Sequence, residues 1–277
     1  MAKTLGFYQN FGLDLHRLSM ALECVQKTPK INYVDLGKYM GMNKPVAESY
    51  SAWLRHTGLV VALSGGTAGR SLTYHLTSFG ETVVKHDPKL SDIGTQWVLH
   101  YYLAVEHEEI SQAWKILINH FISPGLSFTL NQFQSYFSTL IGEEATNRKA
   151  LERDPEAALS TYIRTNALGK LGILHRTNGT YTVGQPAIPD ALVAGYVLFD
   201  HWQRISPNID TLRFSQICQE MGNVGRIFLA QQTQVKHLLA DLAGRGYVTF
   251  AETQHEPVNR LYRGSVALLL ERYYCQR

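Results

Sequence analysis

One short pattern occurs three times in this chain: a helix-period stretch runs into a glycine, then an apolar strand, a polar tip and a second strand. The copies are Leu54-Arg55-His56-Thr57-Gly58-Leu59-Val60-Val61, Leu168-Gly169-Lys170-Leu171-Gly172-Ile173-Leu174 and Leu242-Ala243-Gly244-Arg245-Gly246-Tyr247-Val248. Glycine takes the left-handed conformation that ends a helix without steric cost, so the chain turns at once into a β-strand. A helix that stops on glycine and enters a two-stranded hairpin is how a winged helix-turn-helix ends. The expected fold is therefore mainly α with small β-hairpin wings, in tandem winged helix-turn-helix modules. The expected divisions are 1–94, 95–188 (central helices and a second module) and 189–277.

Composition agrees with packed domains. Of 277 residues, 45% are hydrophobic, 11% aromatic and 18% charged, whereas disordered chains are rich in charge and poor in aromatics. The net charge of +3 allows a polyanionic partner only if the basic surface is local. Cys24, Cys218 and Cys275 form no C-x-x-C pair, so neither a zinc signature nor a disulfide framework is expected, which suits a reducing cytoplasm. The N-terminus lacks a signal-peptide core, and no apolar run approaches the roughly 20 residues that span a bilayer. A cytoplasmic protein with no membrane partner is the expectation.

Periodicity places helices over Leu13–Val25, Tyr33–Met40 and Pro45–Thr57, with Pro45 in a first turn where its missing N–H costs nothing. Val34, Leu36, Tyr39 and Met40 are expected in the core. Strands follow at Leu59–Leu63 and Leu72–Leu76, around a wing tip at Ser64–Arg70, and a helix at Thr77–Lys85. Further helices are expected at Thr95–Glu106, Ile110–Phe121 and Thr129–Ile141. A polar insertion, Gly142–Asp154, precedes a helix at Pro155–Leu168 with Thr161 and Arg164 outward. Asn178-Gly179 between alternating strands is the strongest short hairpin signal in the chain. After a boundary at Gln185–Pro189, helices are expected over Asp190–Arg204, Thr211–Met221 and Arg226–Ala243. Wing strands follow at Tyr247–Ala251 and Arg260–Arg263, and Ser265–Tyr274 reads as strand or helix.

The residues from Leu36 to Leu103 carry a resemblance. Leu36-Gly37-Lys38-Tyr39-Met40-Gly41-Met42-Asn43-Lys44, Trp53-Leu54, Leu76-Thr77-Ser78-Phe79-Gly80-Glu81, His86-Asp87-Pro88-Lys89-Leu90-Ser91-Asp92 and Thr95-Gln96-Trp97-Val98-Leu99-His100 follow one another. They resemble an uncharacterised prokaryotic family encoded beside Dnd-type DNA phosphorothioation genes. Pro45 after Lys44 departs from that family's turn. The resemblance implies a role in bacterial DNA modification or antiviral defence and supplies no activity.

Side chains of the types that meet phosphates and base edges mark the candidate interface. They are Asn43, Lys44, Ser51 and Arg55 on the first recognition-type helix and Arg70 at its wing tip. Arg148, Lys149 and Arg164 flank the second, and Arg226, Thr233 and Lys236 lie on the third. An ordinary solvated face accounts for the same residues. Ser64–Ser71 is not a Walker loop, since position 64 is serine and Arg70 leads into a strand. His100 and His107 lack a third ligand at short range and read as packing residues, as do Trp97, Tyr101, Tyr102 and Trp114. No nucleophile, metal or cofactor constellation stands out.

The expectation is a non-catalytic double-stranded DNA-binding protein that recruits or regulates a modification or defence system. A protein-docking scaffold among other subunits of such a complex is the alternative, and a nuclease-type effector a third.

Overall fold

The computed structural model describes residues 5–65, 71–107, 110–142, 148–188, 190–251 and 256–277. The chain packs as two compact units, Met1–Gly184 and Gln185–Arg277.

The first unit starts with α1 (Leu15–Lys27), α2 (Tyr33–Met40) and α3 (Lys44–His56), capped by Asp14, Asn32 and Asn43. Each cap side chain accepts from backbone N–H groups that the first helical turn leaves without a partner. Gly58, at φ +72°, ends α3, and a Cβ there would stand 2.4 Å from the Tyr102 ring, so glycine is required twice over. The hairpin β1 (Val60–Gly65) and β2 (Ser71–Leu76) follows, with Val60 opposite Leu76. The Tyr74 N–H also donates to Ile31 O, at 2.9 Å, from the loop before α2. Val34 and Tyr39, expected in the core, are 46% and 45% exposed, because the short α2 buries a single narrow stripe through Leu36, Gly37 and Met40.

Thr77 joins the hairpin to α4 (Ser78–His86): its hydroxyl donates to Gly58 O at 2.6 Å and accepts the Gly80 N–H at 3.0 Å. The Asp-Pro-Lys-Leu-Ser-Asp turn is a carboxylate staple. Buried Asp87 accepts from Ser91 N–H, Ser91 Oγ, Asp92 N–H and Thr95 Oγ1 at 2.7–3.0 Å. Asp92 then caps α5 (Ile93–Ala104). That helix is buried on nearly its whole circumference, as a helix apolar all round must be. The aromatic residues Trp97, Tyr101, Tyr102 and Trp114 are core, as expected, and His100 Nδ1 lies 2.8 Å from the buried Tyr162 hydroxyl.

After α6 (Gln112–Ile116) and a π-turn over Leu117–Phe121 come β3 (Ser127–Thr129), α7 (Leu130–Ile141), α8 (Arg148–Ile163), β4 (Leu174–Thr177) and β5 (Thr180–Val183). The sheet order is β3-β5-β4, so the strand before the helices pairs with the last strand of the hairpin. Asn178 and Gly179, at φ +49° and +81°, make the hairpin turn. Two expectations are corrected here. The basic part of the presumed insertion is the first turns of α8, with Pro155 inside the helix rather than opening it. Thr161, expected outward, is buried and accepts the Trp114 indole N–H at 3.1 Å.

The second unit holds α9 (Ala191–Ile205), β6 (Thr211–Arg213), α10 (Phe214–Gln219), α11 (Val224–Ile227), α12 (Gln232–Gly244), β7 (Val248–Phe250), β8 (Pro257–Arg260) and α13 (Ala267–Cys275). Its sheet order, β6-β8-β7, repeats the arrangement of β3-β5-β4. The helix expected over Arg226–Ala243 is two helices, broken where Leu229 takes φ +48°. The last segment is helix, and Gly195 lets α9 approach Leu242 and Leu269, at 3.2 and 3.8 Å from a notional Cβ.

Candidate nucleic-acid interface

The sequence-derived contact residues divide by accessibility. On α3, Asn43 and Lys44 are exposed, but Asn43 is the helix cap, accepting the Val46 N–H at 3.2 Å. Lys44 lies 3.7 Å from Glu48. Ser51 is corrected outright: it is 4% exposed, and its hydroxyl donates to Glu48 O at 2.8 Å. Arg55 is half-buried, and burial lowers the proton affinity of its guanidinium. A segment that helix periodicity cannot see covers a further part of this helix. Residues 8–12 lie across α3, with Ser49 Oγ donating to Tyr8 O at 2.8 Å and Trp53 Nε1 to Phe11 O at 2.8 Å. Nine of the thirteen α3 residues are buried, which leaves little of the helix open to a groove. Arg70 lies outside the described residues.

On α8, Arg148 and Lys149 are exposed at the start, and Arg164 is exposed just past the end, with its Nε donating to Asn166 Oδ1 at 3.1 Å. Between them sit Arg153, the third basic residue of the stretch expected to be an insertion, and Asp154, which sequence reading did not single out. Arg153 Nη1 donates to Asn10 Oδ1 at 2.8 Å, and Asp154, 2% exposed, accepts the Gly6 N–H on Oδ2 at 2.9 Å. Burial pushes the Asp154 carboxyl up to about 6, against the lowering influence of the Gly6 N–H and the Tyr8 hydroxyl. The Tyr8 hydroxyl is itself raised, by burial first and by the Asp154 charge second. Nothing in local spacing pairs residues 148 positions apart.

The face of α12 is the open one. Val235, Leu238, Leu239 and Leu242 point inward, as their spacing predicts, while Gln231, Gln232, Thr233 and His237 are exposed. Lys236 is half-buried, 2.9 Å from Glu256 and 5.4 Å above the Phe214 ring. Arg226 is half-buried on α11, and burial lowers its proton affinity. Of the residues proposed on this module, Thr233 is therefore free to reach a partner, Lys236 must share its charge, and Arg226 is largely withdrawn. Gln231 and Gln232 lie beside them and were missed, while His237 is outward as its spacing predicts; with Thr233 they are the hydrogen-bonding types that read base edges.

Among the described residues, no group of three or more His, Cys, Asp or Glu side chains is placed to hold a metal ion, and no helix is long and apolar enough to cross a membrane. The chain is thus a mainly helical protein in which each unit holds a small three-stranded antiparallel sheet. It belongs to the DUF4007 family of proteins of unknown function, whose family model matches residues 9–263. Two crystal structures of SspB are similar in fold, with TM-scores of 0.84 and, for the magnesium-ion-bound form, 0.83. Each is 17% identical and aligns over 99% of this chain and 87% of the SspB chain. No curated protein matches the chain.

Proposed function

We propose that this chain is a non-catalytic double-stranded DNA-binding protein of tandem winged helix-turn-helix modules, which recruits or regulates the machinery of a phosphorothioation-type modification or defence system. The observation that carries the reading is the α12 surface: exposed Gln231, Gln232, Thr233 and His237 on the last of the three helices after β6, directly followed by the β7–β8 hairpin. Recognition helices of this type present their N-terminal residues to the major groove. A strand, then helices, then a hairpin occurs twice with the same sheet order, with two helices in the first unit and three in the second, and the Tyr74–Ile31 hydrogen bond stands where a third strand would join the first hairpin. The DNA-modification context rests on the resemblance over residues 36–103.

Duplex binding followed by fluorescence anisotropy against salt tests the reading. Each phosphate neutralised contributes about 0.9 to the magnitude of the log–log slope, and no binding at about 50 mM salt refutes the proposal. Cleavage assays on modified and unmodified duplexes with divalent cations address the non-catalytic part, and turnover in either overturns it.

A second reading concerns the first three helices. The covering of α3, the Lys44–Glu48 pair and the exposed Val34 and Tyr39 suit docking to another subunit better than groove reading. In that case α12 holds the DNA and the first helices hold a protein partner in the same complex.

A further inference from the structure

The start of α12 is set apart by the side chains it does not expose. Gln231, Gln232, Thr233 and His237 are exposed around its first two turns, and none of them is Arg or Lys. Lys236, the one Lys or Arg within the helix, is half-buried, 2.9 Å from Glu256 and 5.4 Å above the Phe214 ring. Asp241, one turn beyond His237, is exposed as well. A carboxylate and the negative end of the helix dipole both oppose phosphate, so a duplex meets the N-terminal turn and not the C-terminal half.

Side-chain chemistry limits what that turn reads. Guanine presents two acceptors, N7 and O6, to the major groove, and its usual readers are Arg and Lys. Adenine presents an acceptor, N7, beside a donor, the N6 amino group. A glutamine amide carries a donor and an acceptor side by side, so it closes two hydrogen bonds on adenine. On guanine its carbonyl oxygen faces O6, acceptor against acceptor. The amide of Gln234 is already engaged, its Oε1 accepting the Gln231 N–H at 2.8 Å. Gln232 is the first residue inside the helix, and its Cα–Cβ bond tilts toward the N-terminal end, as every helical one does. Thr233 follows it and carries a methyl group, the type that packs on the thymine C5-methyl. A His237 N–H meets N7 of either purine and does not discriminate.

We propose, on the reading of α12 as a groove-entering helix, that its first turn selects A·T base pairs. The Gln232 amide bonds N6 and N7 of one adenine, and the Thr233 methyl packs on the methyl of a neighbouring thymine. The partner is thus a duplex carrying an A·T-specific site.

The full chain is used to enrich duplexes from a library with a randomised core, and the enriched duplex is then followed by anisotropy with each base pair replaced in turn. One A·T position is expected at which guanine in place of adenine weakens binding about ten-fold, the low end of what a bidentate contact discriminates. In Gln232→Ala the four bases at that position fall within about two-fold of one another, and in Gln232→Arg the preference moves to guanine, a switch that misfolding does not produce. Thr233→Ser, and uracil in place of the neighbouring thymine, each cost about four-fold and together no more than either alone, since both remove one methyl contact. Duplex binding without an A·T preference overturns the proposal, as does a preference that survives Gln232→Ala or is lost in Gln231→Ala instead. No binding to any duplex at about 50 mM salt is a distinct result: it removes the α12 reading itself, and the proposal with it.

Discussion

Replacing Asp154 with asparagine is expected to stabilise the first unit at neutral pH. The side chain is 2% exposed, and its carboxyl is raised from 3.8 to about 6, chiefly by burial. The sign follows from linkage. Between those values the folded state holds a proton that the unfolded state has released, so stability falls as pH rises through the window. Two pH units at 1.36 kcal/mol each give about 3 kcal/mol lost by pH 7. Asparagine keeps an oxygen for the Gly6 N–H and has no charge to desolvate. For a unit of this size, about 3 kcal/mol corresponds to a Tm increase of roughly 6–12 °C. Calorimetric melts of wild type and Asp154→Asn at pH 7.5 and pH 4 provide the assay, since the difference must shrink toward zero at the acidic end. A variant no more stable than wild type at pH 7.5, with a parallel pH profile, refutes the reasoning.

Four further outcomes are expected. In the second unit the shift runs the other way: burial lowers His201 to about 4, so stability is lost as pH falls from 6.5 through 4, by about 3 kcal/mol in total. His201→Gln should flatten that acid limb in melts followed by Trp202 fluorescence, and an unchanged limb removes the argument. Gly58→Ala meets both a left-handed backbone and the Tyr102 ring, and should cost at least about 2 kcal/mol in urea unfolding. Asp87→Ala strands the Ser91, Asp92 and Thr95 donors, with an expected loss of about 2–4 kcal/mol by the same measurement; a change below about 1 kcal/mol contradicts the staple. Gln232→Ala combined with His237→Ala should weaken duplex binding about ten-fold without moving Tm, whereas Ser51→Ala should leave affinity unchanged because Ser51 is buried.

Much of the local structure was legible before folding. Thr77 stands where a helix needs its first acceptor and its side chain accepts from the turn that follows, as the structure shows Asp14, Asn32, Asp92, Thr129 and Asp190 also do. Gly58, Gly172 and Gly246 stop helical segments with positive φ, and Asn178-Gly179 makes its hairpin, because these choices depend on one or two residues' own φ/ψ preferences. Which faces are open was not legible. Periodicity assigns Ser51 and Thr161 to solvent, yet both are buried, Thr161 against Trp114, 47 positions away. The split between α11 and α12 turns on Leu229 adopting φ +48°, which its side chain disfavours and its burial at 2% exposure enforces. Asp154 reaches Gly6 across 148 residues. Caps, stops and turns are decided within four or five residues of chain, so sequence determined them. Exposure, and the partner of a buried charge, belong to whichever segments pack together, and the tertiary structure alone decided those.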